Sequence, residues 1–77
     1  MANFAKEALS PAPRIVILGR EELQIENITG ISSFSDKKIN FRTPSGIVSI
    51  SGENLVILRF DAGEAAVCGL ISSVSYI

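Results

Sequence analysis

The 77-residue chain contains no histidine and a single cysteine, Cys68. Without histidine the commonest general base is missing, and a lone cysteine leaves neither a Cys/His zinc set nor a disulfide within one chain. Nucleophiles fare no better. Ser32-Ser33 and Ser72-Ser73 have no imidazole to activate them, Gly-x-Ser-x-Gly does not occur, and no pattern pairs a serine with Lys37 or Lys38. Cys68 lies between Val67 and Gly69, where a small buried hydrophobe is the expected role. Enzymatic activity is therefore not expected, and no catalytic residue is assigned.

Charge is also scarce. Charged residues make up 19% of the chain, seven basic against eight acidic, for a net charge of −1. No basic tract offers a phosphate-neutralising footprint, so nucleic acid is not an expected partner. Glu21, Glu22, Glu26, Asp36, Glu53, Asp61 and Glu64 are scattered in or beside turns as solvated surface. They lack the spacing of a calcium loop, and the glycines lack the phosphate-loop pattern, so neither metal nor cofactor is expected. Apolar runs such as Ile15–Leu18 and Leu55–Leu58 are far too short to span a bilayer as a helix. The N-terminus has no extended apolar signal region, and a cytoplasmic location is the expectation.

What is present is strand material. From Arg14 to Ile77, β-prone stretches are cut by turn signals every eight to ten residues. The turns are Gly19-Arg-Glu, Ser35-Asp-Lys-Lys, Thr43-Pro-Ser-Gly, Ser51-Gly-Glu-Asn and Asp61-Ala-Gly-Glu. Arg14–Leu18 is a short β-prone run, and Glu22–Glu26 alternates with Leu23 and Ile25 on one face. Between Asn27 and Phe34 the phase breaks, because Ile28, Ile31 and Phe34 cannot share a face of an unbroken strand. A bulge near Gly30 would repair it. Lys38–Arg42 turns Ile39 and Phe41 inward, and Pro44 with Gly46 then marks a hairpin. Ile47–Ser51 turns Val48 and Ile50 inward.

Leu55–Phe60 is apolar on both faces, with Leu55 and Ile57 on one and Val56, Leu58 and Phe60 on the other. Ala65–Ile71 and Ser73–Ile77 form a last pair, with Gly69 marking a bulge or a close backbone approach. Gly19, Gly30, Pro44, Gly46, Gly52, Gly63 and Gly69 are thus expected to shape turns and bends.

Seven or so strands in one domain imply an all-β fold, a small antiparallel meander curled into a barrel or sandwich. A miniature β-solenoid is the alternative, hinted at by the echo between Gly46–Gly52 and Gly69–Val74. Residues 1–13, interrupted by Pro11 and Pro13, are expected to be a flexible or partner-ordered arm ahead of a single domain at 14–77.

So small a domain buries only about 60% of its unfolded surface, and partners would help it. Hydrophobic content of 47% is high beside so little charge. Self-association is expected, through sheet edges and the two-sided strand. Leu55, Ile57, Arg59, Phe60, Tyr76 and Ile77 are the candidate interface residues. A small-ligand or cell-wall-glycan-binding module is the competing function, and it would need Tyr76, Asn54 or Arg59 to converge on a concave patch.

The order Pro13-Arg-Ile-Val-Ile-Leu-Gly19, Leu23-Gln-Ile-Glu-Asn-Ile-Thr-Gly-Ile31, Phe34-Ser-Asp36, Ile50-Ser-Gly-Glu-Asn-Leu-Val-Ile57, Gly69 and Val74-Ser-Tyr-Ile77 resembles the YabP/YqfC family of small sporulation proteins. The likeness is nearer to the YqfC branch and covers about 65 residues. It departs from that branch at Ile28-Thr29 and at Arg42-Thr-Pro-Ser. The resemblance implies a non-enzymatic mother-cell protein of spore envelope or cortex formation. It also implies a YqfD-like membrane sporulation protein as partner, and a place on the mother-cell side of the forespore membrane.

Overall fold

The computed structural model describes residues 12–77. Most of the expected N-terminal arm lies outside the described residues. Six strands follow in order: β1 Arg14–Leu18, β2 Glu22–Glu26, β3 Gly30–Phe34, β4 Lys38–Thr43, β5 Gly46–Asp61 and β6 Glu64–Tyr76. Among the described residues there is no helix. All pairs are antiparallel, and the single sheet runs β1-β2-β6-β5-β4-β3.

The all-β expectation holds, with two corrections. The sheet is not a strict meander, since β2 pairs with β6 and not with its successor β3. It also stays open, because β1 and β3 are its two ends and do not pair with each other. The solenoid alternative fails, since such coils would need parallel neighbours.

The strands number six, not seven or so, because β5 and β6 each join two of the expected segments. Ser51-Gly-Glu-Asn54, expected as a turn, lies inside β5, and Ala65–Tyr76 is one continuous strand. A β-carbon on Gly52 would collide with the Leu70 carbonyl, and one on Gly69 would sit 2.9 Å from the Leu55 Cα. Both glycines let two backbones approach closely. The register shifts at Ser51/Gly52 and Glu53/Val56 then bend the hairpin instead of reversing it.

Each half of the bent hairpin recruits one short hairpin. β2 runs along the first part of β6, from Glu64 to Cys68, and β4 runs along the first part of β5, from Gly46 to Ser51. At the bend, the Gly69 and Ile71 amides donate to the Glu21 and Arg20 carbonyls. Across it, the Gly52 and Leu55 amides donate to the Lys37 and Asp36 carbonyls. The β1–β2 and β3–β4 hairpins thus hook the bend in matching fashion, and the order 1-2-6 | 5-4-3 has an approximate two-fold.

The two halves face one another across the core. Leu23, Ile25, Leu55, Ala65 and Val67 come from one side, and Ile39, Phe41, Val48, Ile50 and Ile71 from the other. Fully burying each larger side chain is worth about 1.5–3 kcal/mol. The broken phase of β3 is repaired as expected by a bulge, placed between Ile31 and Ser33 just beyond Gly30. It brings Ile31 opposite Phe41 and Phe34 opposite Ile39.

Candidate docking surface

Cross-strand register assigns each side chain to the inner or outer face. In the half built by β1, β2, the start of β6 and the end of β5, the outer face runs in rows. Arg14, Glu26, Glu64 and Asp61 form one row, Val16, Gln24, Ala66 and Arg59 the next, and Leu18, Glu22, Cys68 and Val56 the third. Leu18 and Val56 are exposed, as is Leu70 two residues beyond Cys68. Only Glu22 breaks the apolar character of that third row.

The outer face of the other half is different. Its rows are Ser33, Asn40, Ser49 and Ser75, and then Lys38, Ser51 and Ser73. Asn40 Nδ2 donates to Ser33 Oγ at 3.0 Å. Asn40 Oδ1 and Ser49 Oγ are buried and meet no partner among the described residues. These two rows carry short polar groups and a third, Gly30, Arg42 and Ile47, ends on an aliphatic side chain, whereas the β1–β2 half is charged in its first row, mixed in its second and mainly aliphatic in its third. Its third row, with Leu70 beside it, is the apolar strip of this outer face.

The expected interface residues separate on this frame. Leu55 is 1% exposed and belongs to the core, and Ile57 is half-buried against it. The expected split of Leu55–Phe60 between faces is corrected by the shift between Ile57 and Arg59. Ile57 pairs with Val67 and Phe60 with Ala65, so both lie on the inner side. Phe60, Tyr76 and Ile77 are exposed. Arg59 sits 3.6 Å from Asp61 and 3.7 Å from Glu64, so its charge is met within the chain. The periodic pattern of the sequence did not flag Ile17, Leu18 and Leu70, whose exposure follows from sheet order and the place of each strand in it.

Of the expected bend residues, Gly19 and Gly63 lie in turns with φ of 65° and 76°, and Pro44 opens the two-residue loop between Thr43 and Gly46. Gly46 begins β5. Gly30 is the buried first residue of β3, where a β-carbon would press on the Arg42 guanidinium.

A cavity of about 250 Å³ opens where Glu26, Asn27, Ile28 and Thr29 face Pro44 and the Ala62–Glu64 turn. Tyr76, Asn54 and Arg59 do not line it. Glu26 and Glu64 are direct cross-strand partners there. Among the described residues, no three or more Cys, Asp or Glu side chains are grouped to hold a metal ion, and no helix is long and apolar enough to cross a membrane.

Comparison with known proteins identifies relatives of the chain. The model of the YabP family matches residues 10–77. The uncharacterized protein YqfC of Bacillus subtilis (strain 168) is 32% identical over 71 residues, covering 92% of this chain and 76% of that protein. By both measures, the chain belongs to the YabP family.

Proposed function

We propose that this protein is a non-enzymatic adaptor of spore envelope or cortex formation. It acts by self-association and by docking on a membrane-bound sporulation protein of the YqfD kind, from the mother-cell side of the forespore membrane. One observation supports the interaction role most directly. Among the described residues, Ile17, Leu18, Phe34, Val56, Leu58, Phe60, Leu70, Tyr76 and Ile77 are between 43% and 72% exposed. Single exposed aliphatics are ordinary, but this many on so small a sheet, with unpaired edges beside them, suit a surface that another protein covers. The link to sporulation comes from the family.

The test replaces Val56 and Leu58 together with Asp. Both are exposed in β5, so the sheet should fold with an unchanged circular dichroism spectrum. In a sporulating host lacking its own copy, the doubly substituted protein should accumulate normally, yet fail to restore heat-resistant spores. It should also fail to co-purify with the membrane protein. Full complementation together with undiminished co-purification would refute the adaptor role for this face.

A further inference from the structure

The free edges of this sheet are not equivalent. β3 carries the register shift between Ile31 and Ser33, and the outer part of β5 carries two shifts along with Arg59 and Asp61. The end of β6 alternates with Ser73 and Ser75. Bulges and charges are the devices by which edge strands avoid pairing. β1 has none of these beyond its first residue. Its five residues pair with β2 in unbroken register, and Ile15–Leu18 are all β-branched or aliphatic, with no glycine or proline. Ile15 and Ile17 share the inner face with Ile25 and Leu23, while Val16 and Leu18 share the outer face with Gln24 and Glu22. Among the described residues nothing pairs with the far side of β1, and Ile17 and Leu18 are half exposed.

We propose that β1 pairs antiparallel with β1 of a second copy about a two-fold axis at Val16. This deepens the self-association proposed above and rests on it. The register follows from three constraints. Inner residues must oppose inner residues, so a slip by one position is excluded. A two-fold at Ile15 would draw Pro13, which has no N–H, into the ladder. A two-fold at Ile17 would set Arg14 opposite Arg20 of the other copy. Centring on Val16 uses all five residues and sets Arg14 opposite Leu18 of the second copy, with no like charges facing.

Charge complementarity favours a second copy as the occupant. Along the outer row, each Arg14 has Glu26 of its own chain on one side. Beyond Leu18 of the second copy lies that copy's Glu22, within reach of a long guanidinium side chain. On the inner face, Leu23 and Ile17 continue into Ile15 and Ile25 of the second copy. The two cores then join as one apolar layer, and Ile17 is covered.

The position opposite itself supplies the test. Val16 lies on the outer face and is half-buried, so a long charged side chain there can reach solvent. Light scattering and sedimentation of the full chain should give twice the chain mass. Val16→Lys and Val16→Glu, each alone, should fold yet raise the monomer–dimer midpoint by about tenfold or more. An equimolar mixture of the two should restore the dimer.

Amide hydrogen exchange of the unmodified protein provides a readout that needs no variant. Arg14–Leu18 should gain protection as concentration rises, and Gly30–Phe34 should not. A wild-type protein monomeric at all concentrations would overturn this inference and the proposed self-association together. An oligomer indifferent to both Val16 variants, with no concentration-dependent protection in β1, would overturn this inference alone. Protection of β1 that persists in the Val16→Lys or Val16→Glu variant once sedimentation shows it to be monomeric would mean that something other than a second copy covers the edge, and would likewise overturn it.

Discussion

At the scale of single residues, the turn between β5 and β6 shows how far a local signal carries. Asp61-Ala-Gly-Glu64 reads as a turn, and Asp61 does pair with Glu64 across a two-residue loop. Both central residues are left-handed, Ala62 at φ 50° and Gly63 at φ 76°. That is the turn type in which Asn-Gly is favoured, and alanine occupies it at a cost. Ala62→Asn is therefore expected to stabilise the fold by about 0.5–1 kcal/mol, seen as a higher urea midpoint with unchanged slope. The Thr43–Gly46 loop solves the same problem differently. Pro44 fixes the first central position, Gly46 takes φ 136°, and Thr43 Oγ1 donates to the Gly46 carbonyl at 2.8 Å. Proline, glycine and alternation made these hairpins legible because they act on the nearest few residues. Arg59 illustrates the opposite case. Its two exposed carboxylate partners come from a turn that is close in sequence, but such pairs contribute little to stability.

At the scale of elements, the glycines at the bend were harder to interpret than those in the turns. Gly52 stands among Ser51, Glu53 and Asn54, a composition that signals reversal. Here the reversal does not occur, because β6 lies directly against that segment and Gly52 pairs with Ile71. Whether a glycine turns the chain or admits another strand depends on a neighbour about 20 residues away, which local pattern does not report. The consequence can be measured. Gly52→Ala places a methyl group against the Leu70 carbonyl, a backbone atom that cannot swing aside. It is expected to cost about 1–3 kcal/mol in chemical denaturation, more than a strand-interior Gly→Ala change would without such a contact. The same dependence on distant pairing explains why the two-sided Leu55–Phe60 run was seen, while the division of its residues between faces was not. The shift between Ile57 and Arg59 returns Phe60 to the inner side, and only the Ala65–Val67 partners define it.

At the scale of the whole molecule, the two halves are one cooperative unit because β5 and β6 belong to both. Leu55 sits where they meet, 1% exposed, with its amide bonded to the Asp36 carbonyl at 2.8 Å. Leu55→Ala should cost about 2–5 kcal/mol. Fluorescence of Tyr76 in one half and backbone exchange in β2 in the other should report a single shared transition. Two separated transitions would show that the halves unfold independently. Fold class and much of the inner face were visible in the chain's alternation. Sheet order was not, because β2 had no local reason to prefer β6 over β3.

That sheet order also arranges the chain's own assembly. β1–β2, β3–β4 and β5–β6 are three hairpins, each closed by a short local turn, and each can zip up without waiting for the others. The β4–β5 junction is local as well. Only the seating of β2 on β6 joins segments far apart in sequence, with loop-closure entropy opposing it. Until that event, Leu23 and Ile25 have no sheet to cover them, and the aliphatic hairpin β1–β2 is the adhesive part of an unfinished molecule. In a newly made chain β6 is synthesised after β1–β5, so of these three hairpins β1–β2 is the one that must wait longest for its place.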